Sequence, residues 1–256
     1  MRYLLLPIQW LWRFWIILVF VIVFLIGYPW IKHYLHNEST YKKSFRVQRI
    51  IARVTAFLSG IVIRVKQVQP LNTHRTYVII SNHTSYLDVI LSYAFLPLYY
   101  HFMGKNELER IPLFNVLFKK TNIPVDRKNR RSAHAAYQRA CTDLQKGISI
   151  FLFPEATIPD HIPRLRHFKT GAARLAIENQ VPILPITYLD HWRILPEGRN
   201  AWKGGRPGRN RIIIHPPIST SGLNESDVPA LNQQLHKLTN DTLVQYNCLP
   251  PSGKTP

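Results

Sequence analysis

Short apolar runs alternate with helical patterns through most of this chain, and that alternation restricts its fold more than any other feature. Runs rich in β-branched and aromatic residues predict strands at residues 77–80, 99–103, 148–153, 183–187 and 211–215. Helical patterns predict helices at residues 87–95, 113–118, 130–146, 171–179 and 229–246. Strands interleaved with helices indicate an α/β fold, in which helices cover the faces of a sheet.

An uncharged apolar segment at residues 14–31 predicts a membrane anchor. As a helix it reaches roughly 27 Å, just enough to cross the hydrocarbon core of a bilayer. Aromatic residues that suit the membrane interface lie near its ends: Trp10, Trp12, Trp15, Tyr28 and Trp30. No small-residue cleavage site follows, which favours a retained anchor over a signal peptide. Basic residues are denser after the segment than before it, which predicts that the following domain lies in the cytoplasm. The length also fits a helix that dips into one leaflet.

The rest of the chain divides by composition. Apolar residues at 50–65 predict a second, interfacial helix. We therefore expect a membrane anchor with this helix at residues 1–68, a folded α/β domain at 69–248 and a disordered, proline-containing tail at 249–256. Residues 196–210 are rich in glycine, proline and arginine and predict a loop. The cations of this loop and of the residue just after it suit an anionic surface or an acidic partner: Arg199, Lys203, Arg206, Arg209 and Arg211.

The chain is strongly basic, with 33 lysines and arginines against 14 acidic residues and a net charge of +19. This excess favours a polyanionic partner, and the apolar anchor favours an anionic membrane surface over nucleic acid. No zinc-finger or RNP-like motif supports nucleic acid. The two cysteines indicate no disulfide framework, and the histidines show no metal-ligand spacing. Two Asp-His pairs, at 160–161 and 190–191, are adjacent residues that we do not expect to converge on one site.

The candidate catalytic residues are His83 and Asp88, a His-x4-Asp motif directly after the strand predicted at 77–80. At a strand-to-helix turn, an aspartate at this spacing reaches back to the histidine ring and fixes its tautomer. The other ring nitrogen is then free to accept a proton from a substrate hydroxyl. Asn82 is expected to shape the turn. Alone, the motif also fits a surface histidine in a helix-capping turn, so the remaining motifs must decide.

Four further blocks follow His83 in order. They are Gly104-Lys105-Asn106-Glu107-Leu108, then Ile123-Pro124-Val125-Asp126-Arg127, then Phe153-Pro154-Glu155-Ala156-Thr157 with Lys169 soon after, and Val181-Pro182-Ile183-Leu184-Pro185. In this order and behind an apolar anchor, residues 70–215 resemble the glycerolipid acyltransferases, specifically the PlsC-like 1-acyl-sn-glycerol-3-phosphate acyltransferases. A basic membrane-surface binding protein without enzymatic activity explains the charge and the anchor, but it does not explain these ordered motifs.

The resemblance implies a mixed sheet flanked by helices and the transfer of an acyl group from acyl-CoA or acyl carrier protein to a lysolipid hydroxyl. It implies His83 as general base and Asp88 as the residue that orients it. It also implies substrate contacts for a set of polar residues: Lys105, Arg127, Glu155, Thr157 and Lys169. A guanidinium suits a phosphate, so Arg127 is expected to contact the phosphate of the acceptor. No cofactor and no metal are implied. The expected location is the cell inner membrane, with the catalytic domain on the cytoplasmic face.

Two residues depart from the family's usual Phe-Pro-Glu-Gly-Thr-Arg block. Ala156 replaces the glycine, and Ile158 replaces the arginine. An alanine is strained if its position requires a positive φ angle. The isoleucine removes a guanidinium suited to phosphate, for which Arg164, Arg166 and His167 are candidate replacements. This departure keeps a second acceptor open, a lyso-amino-acid lipid of the ornithine or glycine type. The presence of Arg127 and Lys105 favours the phosphate-bearing acceptor.

Overall fold

The computed structural model of the chain describes residues 5–105, 113, 115–126 and 129–249. A sheet of seven strands runs through the domain in the order β1-β7-β6-β2-β5-β3-β4. The strands are β1 (Ile61–Gln67), β2 (Val78–Ser81), β3 (Tyr100–Lys105), β4 (Ile123–Val125), β5 (Ser149–Leu152), β6 (Ile183–Tyr188) and β7 (Gly208–Ile214). Only β6 and β7 pair antiparallel within this sheet, and the other neighbours are parallel. The predicted mixed α/β sheet is therefore confirmed.

Helices cover the sheet and extend beyond it toward the N-terminus. They are α1 (Leu6–Tyr34), α2 (Tyr41–Leu58), α3 (Leu87–Phe95), α4 (Asn115–Lys120), α5 (Arg130–Gln145), α6 (Gly171–Glu178), α7 (His191–Ile194) and α8 (Val228–Gln245). The helices predicted within the domain are confirmed to within about two residues at each end, the usual uncertainty of helix boundaries. The loop predicted at 196–210 contains a short helical turn, Gly198–Lys203, and its last residues belong to β7.

β2 lies at the centre of the sheet, and its side chains divide the core into two layers. Val78 and Ile80 point to one face, and Tyr77 and Ile79 to the other, as the two-residue period of a strand requires. Helices α5, α6 and α8 cover the first face, and α2 and α3 cover the second. Each of these four residues is at most 1% exposed. Full burial of one such side chain stabilises the fold by about 1.5–3 kcal/mol.

The interfacial helix predicted at 50–65 is wrong at both ends. The helix is α2, which begins at Tyr41 and ends at Leu58. Gly60 then adopts a φ of +66°, which stops the helix. The residues from Ile61 onward form β1, a strand hydrogen-bonded in parallel to β7. The sheet therefore begins before residue 69, where we expected the folded domain to start. Strand β4, only three residues long, was not predicted as a strand.

Helix α1 contains the predicted anchor and is longer than the apolar segment at 14–31. In the described part of the chain it is the one helix long and apolar enough to cross a membrane, with a mean hydropathy of 2.6. One of its faces packs along α2, where Gly27 lies so close to Ile51 that a Cβ atom would clash. The opposite face is apolar and exposed, as shown by Leu11, Phe14 and Leu25.

The first turns of α1 are attached to the folded domain by polar contacts. Arg13 donates to the carbonyl of Pro196 at 2.7 Å and forms an ion pair with Glu197 at 3.3 Å. Both charged side chains are less than 15% exposed. The indole of Trp12 donates to the carbonyl of Ser59 at 3.1 Å. The anchor helix is thus part of the same packed structure as the sheet.

Candidate active site

The candidate site lies where three neighbouring parallel strands, β6, β2 and β5, reach their carboxyl ends. His83 follows β2, Glu155 follows β5 and His191 follows β6. The carboxyl ends of adjacent parallel strands share one edge of a sheet, and open α/β sheets bind their ligands at that edge. The sheet order therefore brings together residues that are far apart in the sequence.

The predicted contact between His83 and Asp88 is present. Nδ1 of His83 lies 2.8 Å from Oδ2 of Asp88, and the same oxygen accepts the backbone N–H groups of Thr84 and Ser85 at 2.5 and 3.0 Å. Burial opposes ionisation of Asp88, but the hydrogen bonds from His191 and His83 outweigh it and lower the pKa of Asp88 to about 2. Because Asp88 is ionised and can only accept, the Nδ1–H of His83 donates a hydrogen bond to the carboxylate. Nε2 of His83 is left to act as a base.

The turn that carries His83 is fixed from two sides. The side chain of Asn82 donates to the carbonyl of Tyr188 at 3.0 Å and accepts its N–H at 2.8 Å, which joins the turn to the end of β6. The ring of His83 stacks on Phe153, with centroids 4.1 Å apart and planes 13° apart. The imidazole keeps 17% of its side-chain surface exposed, so a substrate can reach it. Asn82 shapes the turn, as expected.

Glu155 is buried and makes backbone contacts that sequence reasoning missed. One carboxylate oxygen accepts the N–H of His83 at 2.8 Å, and the other accepts the N–H of Arg166 at 2.8 Å. Burial raises the pKa of Glu155 to about 7, although the two N–H donors act in the opposite direction. Glu155 therefore connects the catalytic turn to the segment around residue 166. Whether Glu155 also contacts the acceptor, as the resemblance implies, stays a prediction.

The turn after β5 confirms the expectation about the missing glycine. Ala156 has a φ of +67°, in the left-handed region where side chains are strained. Thr157 and Lys169 are exposed at this turn, and the N–H of Lys169 donates to the carbonyl of Pro154 at 2.9 Å. The candidate replacements for the missing arginine, Arg164, Arg166 and His167, are also exposed.

Two further predicted contacts depend on the neighbouring strands β3 and β4. Lys105 ends β3, where its backbone pairs with Val125 of β4, and its side chain lies outside the described part of the structure. Arg127 also lies outside the described residues. Lys105 is therefore at the carboxyl end of a strand parallel to β5, and Val125, two positions before Arg127 in the sequence, ends the strand beside it.

His191 was not predicted to belong to this site. Its Nδ1 lies 2.5 Å from Oδ1 of Asp88, and its side chain is completely buried. The adjacent Asp190 turns away and binds Arg211 through two hydrogen bonds of 2.7 and 2.8 Å. The two members of the Asp-His pair thus serve different contacts, and Arg211 is not one of the free cations expected near the basic loop. No sequence spacing signals His191, because α7 meets α3 only through the sheet order.

A comparison with protein-family models finds a match to the family described as Acyltransferase, over residues 62–189. The chain belongs to the acyltransferase family. The match contains the His-x4-Asp motif, the turn of Glu155 and the end of β6, and it ends two residues before His191. Within the described residues, no group of three or more His, Cys, Asp or Glu residues suits a metal ion.

Individual relatives agree with this assignment. The acyltransferase is 28% identical over 227 residues to the mouse 1-acyl-sn-glycerol-3-phosphate acyltransferase alpha, covering 82% of this chain and 76% of that protein. It is 26% identical over 240 residues to a probable 1-acyl-sn-glycerol-3-phosphate acyltransferase of Mycoplasma pneumoniae, covering 89% of each chain. The crystal structure of PlsC from Thermotoga maritima matches its fold with a TM-score of 0.76 at 20% identity, over 97% of this chain and 99% of that one.

Proposed function

We propose that this acyltransferase moves a fatty acyl group from an acyl thioester to the free hydroxyl of 1-acyl-sn-glycerol-3-phosphate, which gives phosphatidic acid. The observation that carries the proposal is the contact between His83 and Asp88, which holds Nδ1 of an accessible imidazole on a carboxylate and leaves Nε2 as the ring nitrogen available to a substrate hydroxyl. The mouse and Mycoplasma relatives, named for this acceptor, support the choice of substrate. Because the chain belongs to an enzyme family, a purely binding role is rejected.

In the proposed reaction, His83 acts as general base and Asp88 orients it. Nε2 of His83 takes the proton of the acceptor hydroxyl as its oxygen attacks the thioester carbonyl carbon. The new carbon–oxygen bond forms and the carbon–sulfur bond breaks. The departing thiolate then takes the proton from the imidazolium. Asp88 stabilises that imidazolium while it exists. A positioned general base of this kind contributes on the order of 10²- to 10⁴-fold to the rate.

The acceptor's phosphate would be bound by cations at the same edge of the sheet. Lys105 is the last residue of β3, Arg127 comes two positions after the last residue of β4, and Lys169 is exposed after the turn of Glu155. A guanidinium can pair with two phosphate oxygens at once, which makes Arg127 the main candidate for phosphate recognition. The hydroxyl of Thr157, also exposed there, is a further candidate contact. These roles follow from the family motifs and from the shared position.

The acyl donor and the location belong to the same proposal. Acyl-CoA carries negative phosphates and acyl carrier protein is acidic, so the exposed Arg206 and Arg209 suit either donor. The exposed apolar face of α1 would enter the inner membrane, and the catalytic domain would lie on its cytoplasmic face. The net charge of +19 supports binding to an anionic membrane surface.

One observation favours a second acceptor. Ile158 stands where the family usually has an arginine, and its half-buried side chain offers no charge to a phosphate. A lyso-amino-acid lipid of the ornithine or glycine type carries the same kind of hydroxyl without that phosphate. The chemistry at His83 would be unchanged, and only headgroup recognition would differ.

The test offers labelled acyl-CoA and acyl carrier protein thioesters to the detergent-solubilised protein, with both acceptors competing in the same tube. We expect phosphatidic acid as the main product and a loss of at least about 100-fold in His83→Ala. His134→Ala, which changes an exposed histidine on α5, is the matched control and should keep the rate. A diacylated amino-acid lipid as the main product would replace the proposed acceptor. Near-normal turnover in His83→Ala would contradict the proposed mechanism.

A further inference from the structure

Asp88 contacts two histidines, one on each carboxylate oxygen. Oδ2 accepts from Nδ1 of His83 at 2.8 Å, and Oδ1 accepts from Nδ1 of His191 at 2.5 Å. Apart from His191, the one other contact of Oδ1 in the described residues is a long one, the hydroxyl of Thr84 at 3.4 Å. Asp88 is fully buried, so removing His191 would leave one oxygen of a buried carboxylate almost without a donor. Such a loss is expensive in a protein interior.

The ring of His191 contacts Asp88 through one of its two nitrogens. Nδ1 carries a proton, because it faces an ionised carboxylate. Nε2 is buried and has no hydrogen-bond partner among the residues that the structure describes. His191 therefore makes one hydrogen bond in the described structure, from Nδ1, and that bond holds Oδ1 of Asp88.

The ring of His191 has little freedom to move. It stacks on Tyr188, with centroids 4.2 Å apart and planes 24° apart. The carboxylate of the preceding residue, Asp190, accepts the backbone N–H of Arg211 at 3.0 Å and hydrogen bonds from the Arg211 guanidinium at 2.7 and 2.8 Å. Helix α7, which begins with His191, is therefore fixed at both the ring and the backbone.

We propose that His191 is a positioning residue for acyl transfer. By binding Oδ1 of Asp88, His191 fixes the carboxylate so that Oδ2 accepts the Nδ1–H of His83. The proposal rests on the proposed role of His83 as general base. His191 does not reach the substrate, because its side chain is completely buried and its Nδ1 is used by Asp88. Its effect passes through Asp88 to the orientation of the His83 ring.

The experiment compares two substitutions of His191 that differ in the donor they keep. His191→Asn places an amide N–H near the position of Nδ1, whereas His191→Phe keeps the ring that stacks on Tyr188 but has no donor. We expect kcat to fall about 10- to 100-fold in His191→Phe, with KM nearly unchanged, because a hydrogen bond to a charged group is lost. His191→Asn should retain kcat within about threefold of the original enzyme. His134→Phe, at an exposed position, should change neither constant.

The test depends on which of the two His191 variants has the higher kcat. A role limited to packing predicts that His191→Phe is the more active variant, and that order would overturn the proposal. An equal loss of kcat in both variants, with thermal unfolding as in the original enzyme, would also overturn it. If His191→Phe does not fold, His191→Leu takes its place in the comparison. Absence of acyl transfer by the original enzyme would instead overturn the proposed function, so the two failures are distinguishable.

Discussion

At the scale of single residues, the most unusual conformation at the site belongs to Ala156. Its φ of +67° places a side chain in the left-handed region, which costs about 1–2 kcal/mol for a residue other than glycine. The strain lies in the turn that carries Glu155, whose carboxylate is bonded to the N–H of His83. The alanine that replaces the family's glycine therefore makes folding of the chain less favourable.

Replacing Ala156 with glycine should relieve that strain. Glycine loses more backbone entropy on folding, which offsets about half of the gain, so we expect a net stabilisation of about 0.5–1 kcal/mol. For a chain of this size that corresponds to a rise of roughly 2 °C in the midpoint of thermal unfolding. The control is Ala135→Gly, at an exposed position inside α5, which should destabilise by about 1 kcal/mol. A similar decrease in both variants would show that the turn is not strained.

At the scale of elements, the helix α3 and the His-x4-Asp motif were predictable because they depend on local contacts. The helix predicted at 87–95 has the observed bounds, and the chain turn before it brings His83 back to Asp88 in the first turn of that helix. The hydrogen bonds between His83 and Glu155 and between His191 and Asp88 join residues 72 and 103 positions apart. They arise from the order of β6, β2 and β5 in the sheet, which a hydropathy pattern does not contain.

β1 was missed for a different physical reason. Its apolar residues closely follow those of α2, so the two elements form one apolar stretch in the sequence, and only Ser59 and Gly60 separate them. The strand is also exposed along most of its length, and its stability depends on pairing with β7, whose residues lie at the other end of the domain. Pairing between distant strands cannot be inferred from one short pattern.

The turns after β2 and β5 are joined by Glu155, and this contact should make stability depend on pH. Burial raises the pKa of Glu155 from 4.5 to about 7, so the folded state holds a proton that the unfolded state releases between these values. The free energy of unfolding contributed by this group is therefore greatest below about pH 4.5 and falls as the pH rises to about 7. The full decrease is about 3 kcal/mol.

Glu155→Gln removes that titration and tests its sign. Between pH 5 and pH 8, the midpoint of thermal unfolding of the original protein should fall relative to that of the variant. Most of this relative fall should occur below about pH 7. Activity should fall in the variant, because a glutamine has one carbonyl oxygen for the two N–H groups of His83 and Arg166. Glu225→Gln, which changes an exposed carboxylate, is the control. Equal pH dependence in the original protein and in Glu155→Gln would show that Glu155 ionises normally.

At the scale of the whole molecule, both ends of α1 are held against the rest of the structure. Near its start, the carbonyl of Gln9 accepts the N–H of Gly205 at 3.2 Å, and Arg13 pairs with Glu197. Near its end, Ile31 and Leu35 are buried in a cluster with residues of α2 and α4. A helix that crossed the membrane would place one of these ends on the far side, away from the domain. The contacts favour a helix that lies in one leaflet, one of the two arrangements that its length allows.

This arrangement predicts that the two ends of α1 are accessible from the same side of the membrane. Single cysteines would be introduced as Leu5→Cys and His36→Cys, both at exposed positions, after Cys141 and Cys248 are changed to alanine. In sealed inner-membrane vesicles whose cytoplasmic face is outward, a membrane-impermeant maleimide should label both cysteines to the same extent. His134→Cys on α5 marks the side of the catalytic domain and should be labelled equally.

Protection of Leu5→Cys until detergent is added would mean that α1 crosses the bilayer. The contacts of Arg13 with Pro196 and Glu197 would then have to break in the membrane, at a cost of several kcal/mol for a buried charge that loses its partner.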